Sequence, residues 1–204
     1  AGTGSTMAES VDLITAAVGA FQLQASEAQR IADAMMGALD KSRLNVGRAA
    51  GAMQYVGATA FEQGISMEEV LASAGTMANA GIKSGSTIGT GMRQLLDDLQ
   101  EPSKKLVAQL ESVGLKMADV DVKTKGWRGT LETLKNAGFG ASQAYGGLET
   151  RAAAAYLTLK NNLDVMDEIV QAELLQGQAS AAAATATTTL AGEWQKFKNI
   201  MAEK

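Results

Sequence analysis

The sequence predicts an all-α protein, and two features of its composition support that prediction. Pro102 is the single proline among 204 residues, so few breaks are forced on helices. Ala, Leu, Met and Glu are good helix formers, whereas aromatic residues make up only 4% of the chain. Buried contacts must therefore come mostly from small side chains. We expect about eight or nine helices, one short extended or β-ribbon loop, and a long C-terminal helix.

The composition also limits which classes of function are possible. The chain has no Cys and no His, which excludes disulfides and removes the commonest metal ligand and the usual general base near neutral pH. A net charge of −4 gives no attraction to nucleic acid or anionic lipid. No apolar stretch approaches the roughly 20 residues that a membrane span needs, and the first residues lack a signal-peptide pattern. We expect no cofactor, no specific nucleic acid and no membrane span in this segment.

Three helices are expected in the first third of the chain. One is predicted from Thr6 to Gln22, a second begins at Ser26, and a third runs from about Asn45 to Gln63. The second is indicated by apolar side chains that recur every four residues and share one face, at Ile31, Met35 and Leu39.

The fourth helix has a clear start signal. Ser66 and Glu69 are spaced as a capping box, in which the hydroxyl accepts from the amide three residues on and the glutamate reaches back. An apolar stripe follows and stops at Gly81. Its members are Met67, Val70, Leu71, Ala74 and Met77.

Pro102 separates the next two helices. The apolar stripe from Ile88 to Leu99 ends there because proline disfavours a helical conformation in the residue before it. The helix that follows has a natural C-terminal cap at Gly114.

The helical period disappears between Leu115 and Trp127. Val120 and Val122 alternate with charged residues, which favours a short extended or β-ribbon segment over a helix. We expect Trp127, at the end of this loop, to anchor it. A short helix at 130–136 and a Gly-rich turn follow.

From Ala152 onward the spacing is that of heptad seams, in which apolar residues step by three and four positions. The first seam contains Ala152, Tyr156, Leu159, Leu163, Met166 and Val170, and the second contains Ala183, Thr187, Leu190, Trp194, Phe197 and Met201. Either seam can pack within the chain or against a partner. We favour the chain itself for the first and a partner for the second, whose pattern continues to the last residues. Residues 1–147 are thus predicted to form a compact helical module, and 148–204 long helices that lead into a rod.

Several patterns that suggest chemistry fail on inspection. The glycines at 81, 85 and 89 lack the Gly-Lys-Ser/Thr ending of a phosphate-binding loop, so we interpret them as a turn followed by a close helix crossing. Asp119 and Asp121 suggest a calcium loop, but Thr124 stands where that loop needs glycine. No catalytic, cofactor-binding or metal-binding residue is assigned. The candidate structural and interaction residues are Gly81, Gly85, Gly89, Leu159, Leu163, Met166, Leu190, Trp194 and Phe197.

Two longer stretches carry a family resemblance. They run from Tyr55 to Val70 and from Met77 to Leu96, and the second contains the specific segment Ala-Asn-Ala-Gly-Ile-Lys around Gly81. With the sequence that follows, they resemble tail tape measure proteins of tailed bacteriophages and prophages. The resemblance spans essentially the whole chain. It departs between Gly138 and Gly147, where this sequence is shorter and richer in glycine.

The resemblance implies a structural component of a phage tail. Members form a rod-like helical oligomer in the tail lumen, determine tail length during assembly in the host cytoplasm, and leave the virion before DNA ejection. Implied partners are further copies of the chain and proteins of the tail tube, the tail tip or an assembly chaperone. A helix rises about 1.5 Å per residue, so a helical rod converts sequence length into distance without any catalytic residue.

Two other classes of function stay open. A peptidoglycan-cleaving enzyme fragment is one, since tape measure proteins can carry such domains, although His, Cys and a recognisable catalytic Glu motif are missing. A helical adhesin or secreted effector is the other, because it shares Ala-rich helices with few aromatic residues. Within the tape measure hypothesis, the segment is either the ruler itself or a folded docking module.

Overall fold

The computed structural model describes residues 7–24, 27–178 and 180, and these residues form eleven α-helices and no strand. The helices are α1 (Met7–Phe21), α2 (Ala28–Lys41), α3 (Val46–Glu62), α4 (Met67–Asn79), α5 (Gly85–Gln100), α6 (Lys104–Ser112), α7 (Val122–Lys125), α8 (Trp127–Asn136), α9 (Ala141–Gly147), α10 (Thr150–Lys160) and α11 (163–178). The all-α prediction is confirmed for this part of the chain.

Four helices lie side by side. Helix α1 packs against α3, α3 against α5, and α5 against α10, so their order in space is α1, α3, α5, α10. Helix α4 contacts three members of this row and also α2, which puts α4 at the centre of the fold. Helices α6 and α9 pack against each other beside the row, where α9 also contacts α10. The chain therefore folds back on itself repeatedly.

The central helix α4 is buried on nearly every side. The predicted capping box is confirmed: the Ser66 hydroxyl accepts from the Glu69 amide at 3.2 Å, and the Glu69 carboxylate accepts from the Ser66 amide at 3.0 Å. Every residue from Val70 to Ala78 is buried. Apolar or small residues all round a helix are typical of such a core position.

The predicted extended or β-ribbon loop is wrong. The segment instead forms a 3-10 turn at Met117–Asp119 and the one-turn helix α7. The alternating acidic residues are caps: Asp119 accepts from the Lys116 amide at 2.8 Å, and Asp121 accepts from the Lys123 amide at 3.0 Å. Val120 and Val122, which follow or begin these turns, are buried. Two short helical turns thus give the same alternation of buried apolar and exposed charged residues as a β-strand.

The predicted helix number is also too low, because eleven helices form among the described residues. Helices α7 and α9 occupy segments that were expected to be loops. The run that begins at Ala152 is divided by a turn at Asn161 and Asn162, where the Asn162 side chain donates to the Thr158 carbonyl at 2.7 Å. Polar side chains that satisfy backbone groups locally are well suited to ending a helix.

Candidate functional site

The three candidate glycines divide between a turn and a helix contact. Gly81 has φ +98°, a left-handed conformation that glycine favours. The next amide, that of Ile82, donates to the Met77 carbonyl at 3.1 Å and so closes the end of α4. Gly85 and Gly89 lie on α5 and face α3.

The contact between α3 and α5 leaves no room for side chains at these positions. A Cβ on Gly89 would stand 2.5 Å from the Ala52 carbonyl oxygen and 2.8 Å from the Tyr55 Cβ. A Cβ on Gly85 would stand 3.0 Å from the Arg48 Cα. Real Cβ atoms essentially never approach other heavy atoms this closely. The two backbones are therefore in direct contact, and this contact requires glycine on α5.

The first heptad seam faces the interior of the chain. Leu159 on α10 and Leu163 and Met166 on α11 are all buried. The Met166 sulfur lies 3.4 Å from the Ser73 hydroxyl of α4. These residues of the first seam are thus buried within the chain. Helices α10 and α11 pack on helices that precede position 147, the predicted boundary between the compact module and the long helices. That boundary remains a prediction.

The second heptad seam lies outside the described residues. This applies to its candidate residues Leu190, Trp194 and Phe197, whose role in self-association remains a prediction.

Trp127 anchors its loop through a hydrogen bond that the sequence did not reveal. Its indole N–H donates to the Ser73 hydroxyl at 2.9 Å, and both side chains are buried. The only hint was a serine within the apolar stripe of α4. The Ser73 hydroxyl lies between α4, α8 and α11, so it joins three helices.

The junction of α2 with α11 contains a second feature that sequence reasoning missed. A Cβ on Gly37 would stand 2.5 Å from the Glu173 backbone nitrogen, so the two helices touch through their backbones. The Glu173 side chain is 3% exposed, and neither carboxyl oxygen has a hydrogen-bond partner in the described part of the chain. The available signal was its spacing, since Glu173 lies one heptad after Met166.

Burial is the main cause of an altered acidity at Glu173. Removal from water disfavours the ionised carboxylate, and the negative charge of Glu68 adds to that effect. Together they raise the pKa of Glu173 to about 9. The carboxyl group is therefore protonated at neutral pH.

A surface ion pair links α8 to α11. The Arg128 guanidinium donates to both Asp167 oxygens, with its Nε 2.8 Å from Oδ1 and 3.0 Å from Oδ2. Both side chains are about two-fifths exposed, so the pair contributes little to stability despite its geometry. Hydrogen bonding to Asp167 raises the pKa of Arg128.

Metal-binding and membrane-spanning features can be checked for the residues that the structure describes. Within them, no group of three acidic side chains is arranged to bind a metal ion. None of their helices is both long and apolar enough to cross a membrane.

Known proteins match this chain along most of its length. A model of the phage-related minor tail protein family matches residues 1–192. The chain is 34% identical to the tape measure protein of Pneumococcus phage Dp-1 over 141 residues, which are 69% of this chain and 12% of that relative. It is 32% identical to the probable tape measure protein of Escherichia phage P2 over 120 residues, which are 59% of this chain and 15% of that relative. No solved structure matches significantly.

Proposed function

The chain belongs to the phage-related minor tail protein family, and we propose that it is a folded docking module of a tape measure protein whose rod lies elsewhere in the parent. Family membership confirms the resemblance seen in the sequence. The names of the relatives indicate a structural component of a phage tail and not an enzyme. The matched residues cover only 12% of the first relative and 15% of the second.

The side-by-side packing of α1, α3, α5 and α10 is the observation that carries this proposal. A straight helix gains about 1.5 Å of length per residue, but helices that lie beside one another add no length to each other. The described residues thus yield far less axial distance than the same number in a rod. A folded module suits attachment better than measurement.

We propose that the tail containing this module is assembled in the host cytoplasm. In the virion the module lies in the tail lumen, and it leaves the tail before DNA ejection. Its partners are further copies of the chain and proteins of the tail tube, the tail tip or an assembly chaperone. The names of the relatives support this setting. The second heptad seam, with Leu190, Trp194 and Phe197, supplies an apolar face for further copies.

Tail length in phage that carry deletions in the full-length parent tests the docking role. Deleting two heptads from a rod region outside these residues removes about 21 Å of helix and should shorten tails by that amount. Deleting the same number of residues from α3 should instead abolish tails, because α3 packs between α1 and α5. Electron microscopy of the particles measures both. Intact tails about 21 Å shorter after the α3 deletion would contradict the docking role and support a ruler.

The structural role also implies that the purified chain does not cleave peptidoglycan. A zymogram with peptidoglycan in the gel tests this directly, with lysozyme as the positive control. A cleared band at the position of the chain would overturn the non-catalytic assignment.

A further inference from the structure

Helix α11 packs differently along its two halves. In the first half, residues 163–170, the side chains of Leu163, Met166 and Ile169 are all buried. The Ile169 side chain reaches α4, where a Cβ added to Gly75 would stand 3.0 Å from its Cδ1. The first half is therefore held in place by the burial of apolar side chains, which is the main force that packs helices together.

The second half of α11, residues 171–178, shows the reverse pattern, and we name it the strap. Among these residues, each of which the structure describes, Glu173 alone is buried. Leu174 and Leu175 are instead 50% and 63% exposed. Burial of a leucine stabilises a fold, whereas burial of an acid opposes it unless the acid is paired. The strap thus gains little stability from its position on the fold.

Glu173 lies where the strap touches α2. A Cβ on Gly37 would stand 2.5 Å from the Glu173 backbone nitrogen, so the two backbones are in direct contact. Neither carboxyl oxygen of Glu173 has a hydrogen-bond partner in the described part of the chain, and burying such a group costs free energy. Just after the strap, the Ser180 hydroxyl donates to Asp33 of α2 at 2.8 Å, a bond that water can replace. Release of the strap would return the carboxyl group to water.

The charged groups beside Glu173 in the described part of the chain leave no free cation for an ionised carboxylate. Arg30 and Asp33 of α2 and Glu68 of α4 line a cavity together with Glu173. Arg30 is already paired with Glu68 and Glu27. Burial, and then the negative charge of Glu68, oppose ionisation of Glu173. Glu173 therefore keeps its proton while the strap lies on α2.

We propose that the strap is a releasable segment, which leaves α2 as a unit while residues 163–170 stay packed on α4, and that loss of the Glu173 proton drives the release. The carboxyl group ionises once it reaches water, its proton goes to solvent, and the strap can return only by taking a proton back. Release therefore becomes about tenfold more favourable per pH unit between pH 6 and 8. A fall in pH fastens the strap, and a rise loosens it.

Amide hydrogen exchange of the full chain, followed by NMR between pH 6 and 8, tests this proposal. A helix end that has lost its packing frays, so the strap amides exchange once it is released. At each pH the opening constant of amides 173–178 should exceed that of amides 167–170 by more than about tenfold, because the strap opens without the rest of the fold. The opening constant of amides 173–178 should also rise about tenfold per pH unit.

Three variants identify the cause. Glu173→Gln cannot ionise, so the opening constant of its strap should stop rising with pH. Glu168→Gln is the matched control, because Glu168 is an exposed acid on the same helix, and it should behave like the wild type. Gly37→Ala should release the strap already at pH 6, since its methyl group would collide with the Glu173 backbone. Protected amides at 70–78 of α4 show that each variant remains folded.

Two results would overturn the proposal. Equal opening constants for amides 173–178 and 167–170 at every pH would mean that the strap leaves only when the whole chain unfolds. A Glu173→Gln strap that keeps the pH dependence of the wild type would mean that another group drives its release. Neither result bears on the docking role, which the tail-length experiment tests separately.

Discussion

The indole N–H of Trp127 donates to the hydroxyl of Ser73 across 2.9 Å, and the two residues are 54 positions apart in the chain. Both side chains are buried. The same hydroxyl lies 3.4 Å from the Met166 sulfur, so one serine connects α4 to both α8 and α11. A short polar side chain inside the core thereby fixes how three helices meet.

Ser73→Ala is expected to destabilise the fold by about 1–3 kcal/mol, because it leaves the indole N–H buried without an acceptor. Urea denaturation followed by circular dichroism measures the change. Ser112→Ala is the control, since Ser112 is exposed, and it should change stability by less than about 0.5 kcal/mol. Equal effects of the two substitutions would show that the Trp127 hydrogen bond contributes nothing.

Gly89→Ala is expected to lower the free energy of unfolding by about 1–3 kcal/mol, because its methyl group would collide with the Ala52 carbonyl and force α3 and α5 apart. At Gly19 on α1 a Cβ meets nothing within 4 Å. Gly19→Ala should therefore stabilise the protein by about 0.5–1 kcal/mol through helix propensity alone. Thermal unfolding of both variants gives the comparison, and a stabilised Gly89→Ala variant would rule out the close contact.

Glu173 should make the protein less stable as the pH rises from about 4.5 to about 9. Below its ordinary pKa of 4.5 the carboxyl is protonated in both states, and above it only the unfolded chain ionises until the folded pKa of about 9 is reached. Stability is therefore greatest below pH 4.5 as far as this group is concerned, and falls by up to about 1.4 kcal/mol per pH unit in that window.

Glu173→Gln should remove that pH-dependent component, while the exposed control Glu111→Gln should keep it. Urea denaturation at pH 5, 7 and 8.5 gives the free energies of unfolding. If the wild type and Glu173→Gln have parallel pH profiles, the raised pKa of Glu173 is refuted.

The two heptad seams should respond differently to alanine substitution. Leu163→Ala is expected to cost about 2–5 kcal/mol of stability, because Leu163 is buried, without changing the mass of the folded particle. Trp194→Ala should instead reduce the mass of an assembly held together by the second seam. Light scattering after gel filtration measures the mass, and Leu175→Ala is the control for an exposed leucine on α11. An unchanged mass for Trp194→Ala would argue against self-association through this seam.

Local signals predicted much of the fold. The capping box at Ser66, the glycine end of α4 and the apolar stripes of α4 and α5 were all readable, because each depends on residues within a few positions of one another. The alternation around Val120 was misread for the same reason. Caps at Asp119 and Asp121 and a strand with one polar face give the same short pattern, and only the backbone conformation distinguishes them.

The burial of the Glu173 carboxyl group could not be predicted from local patterns. Glu173 lies one heptad after Met166, but a heptad position alone does not show that an acidic residue is buried there. Its burial results from the close approach of α2 at Gly37. Ser180 and Asp33 form a hydrogen bond across 147 positions of sequence. No local pattern encodes such a pairing.

By itself, the sequence determined the helical class, most helix ends and the face that each stripe buries, because propensity, capping and periodicity act over one or two turns. Tertiary structure decided which helices touch, that α10 and α11 bury the first seam against α4, and that Ser73 and Glu173 are removed from water. Those outcomes depend on how closely backbones approach at glycines such as Gly37 and Gly89. The distance between two helix backbones depends on the packing of all the helices together, so it cannot be predicted from the residues that are adjacent in sequence.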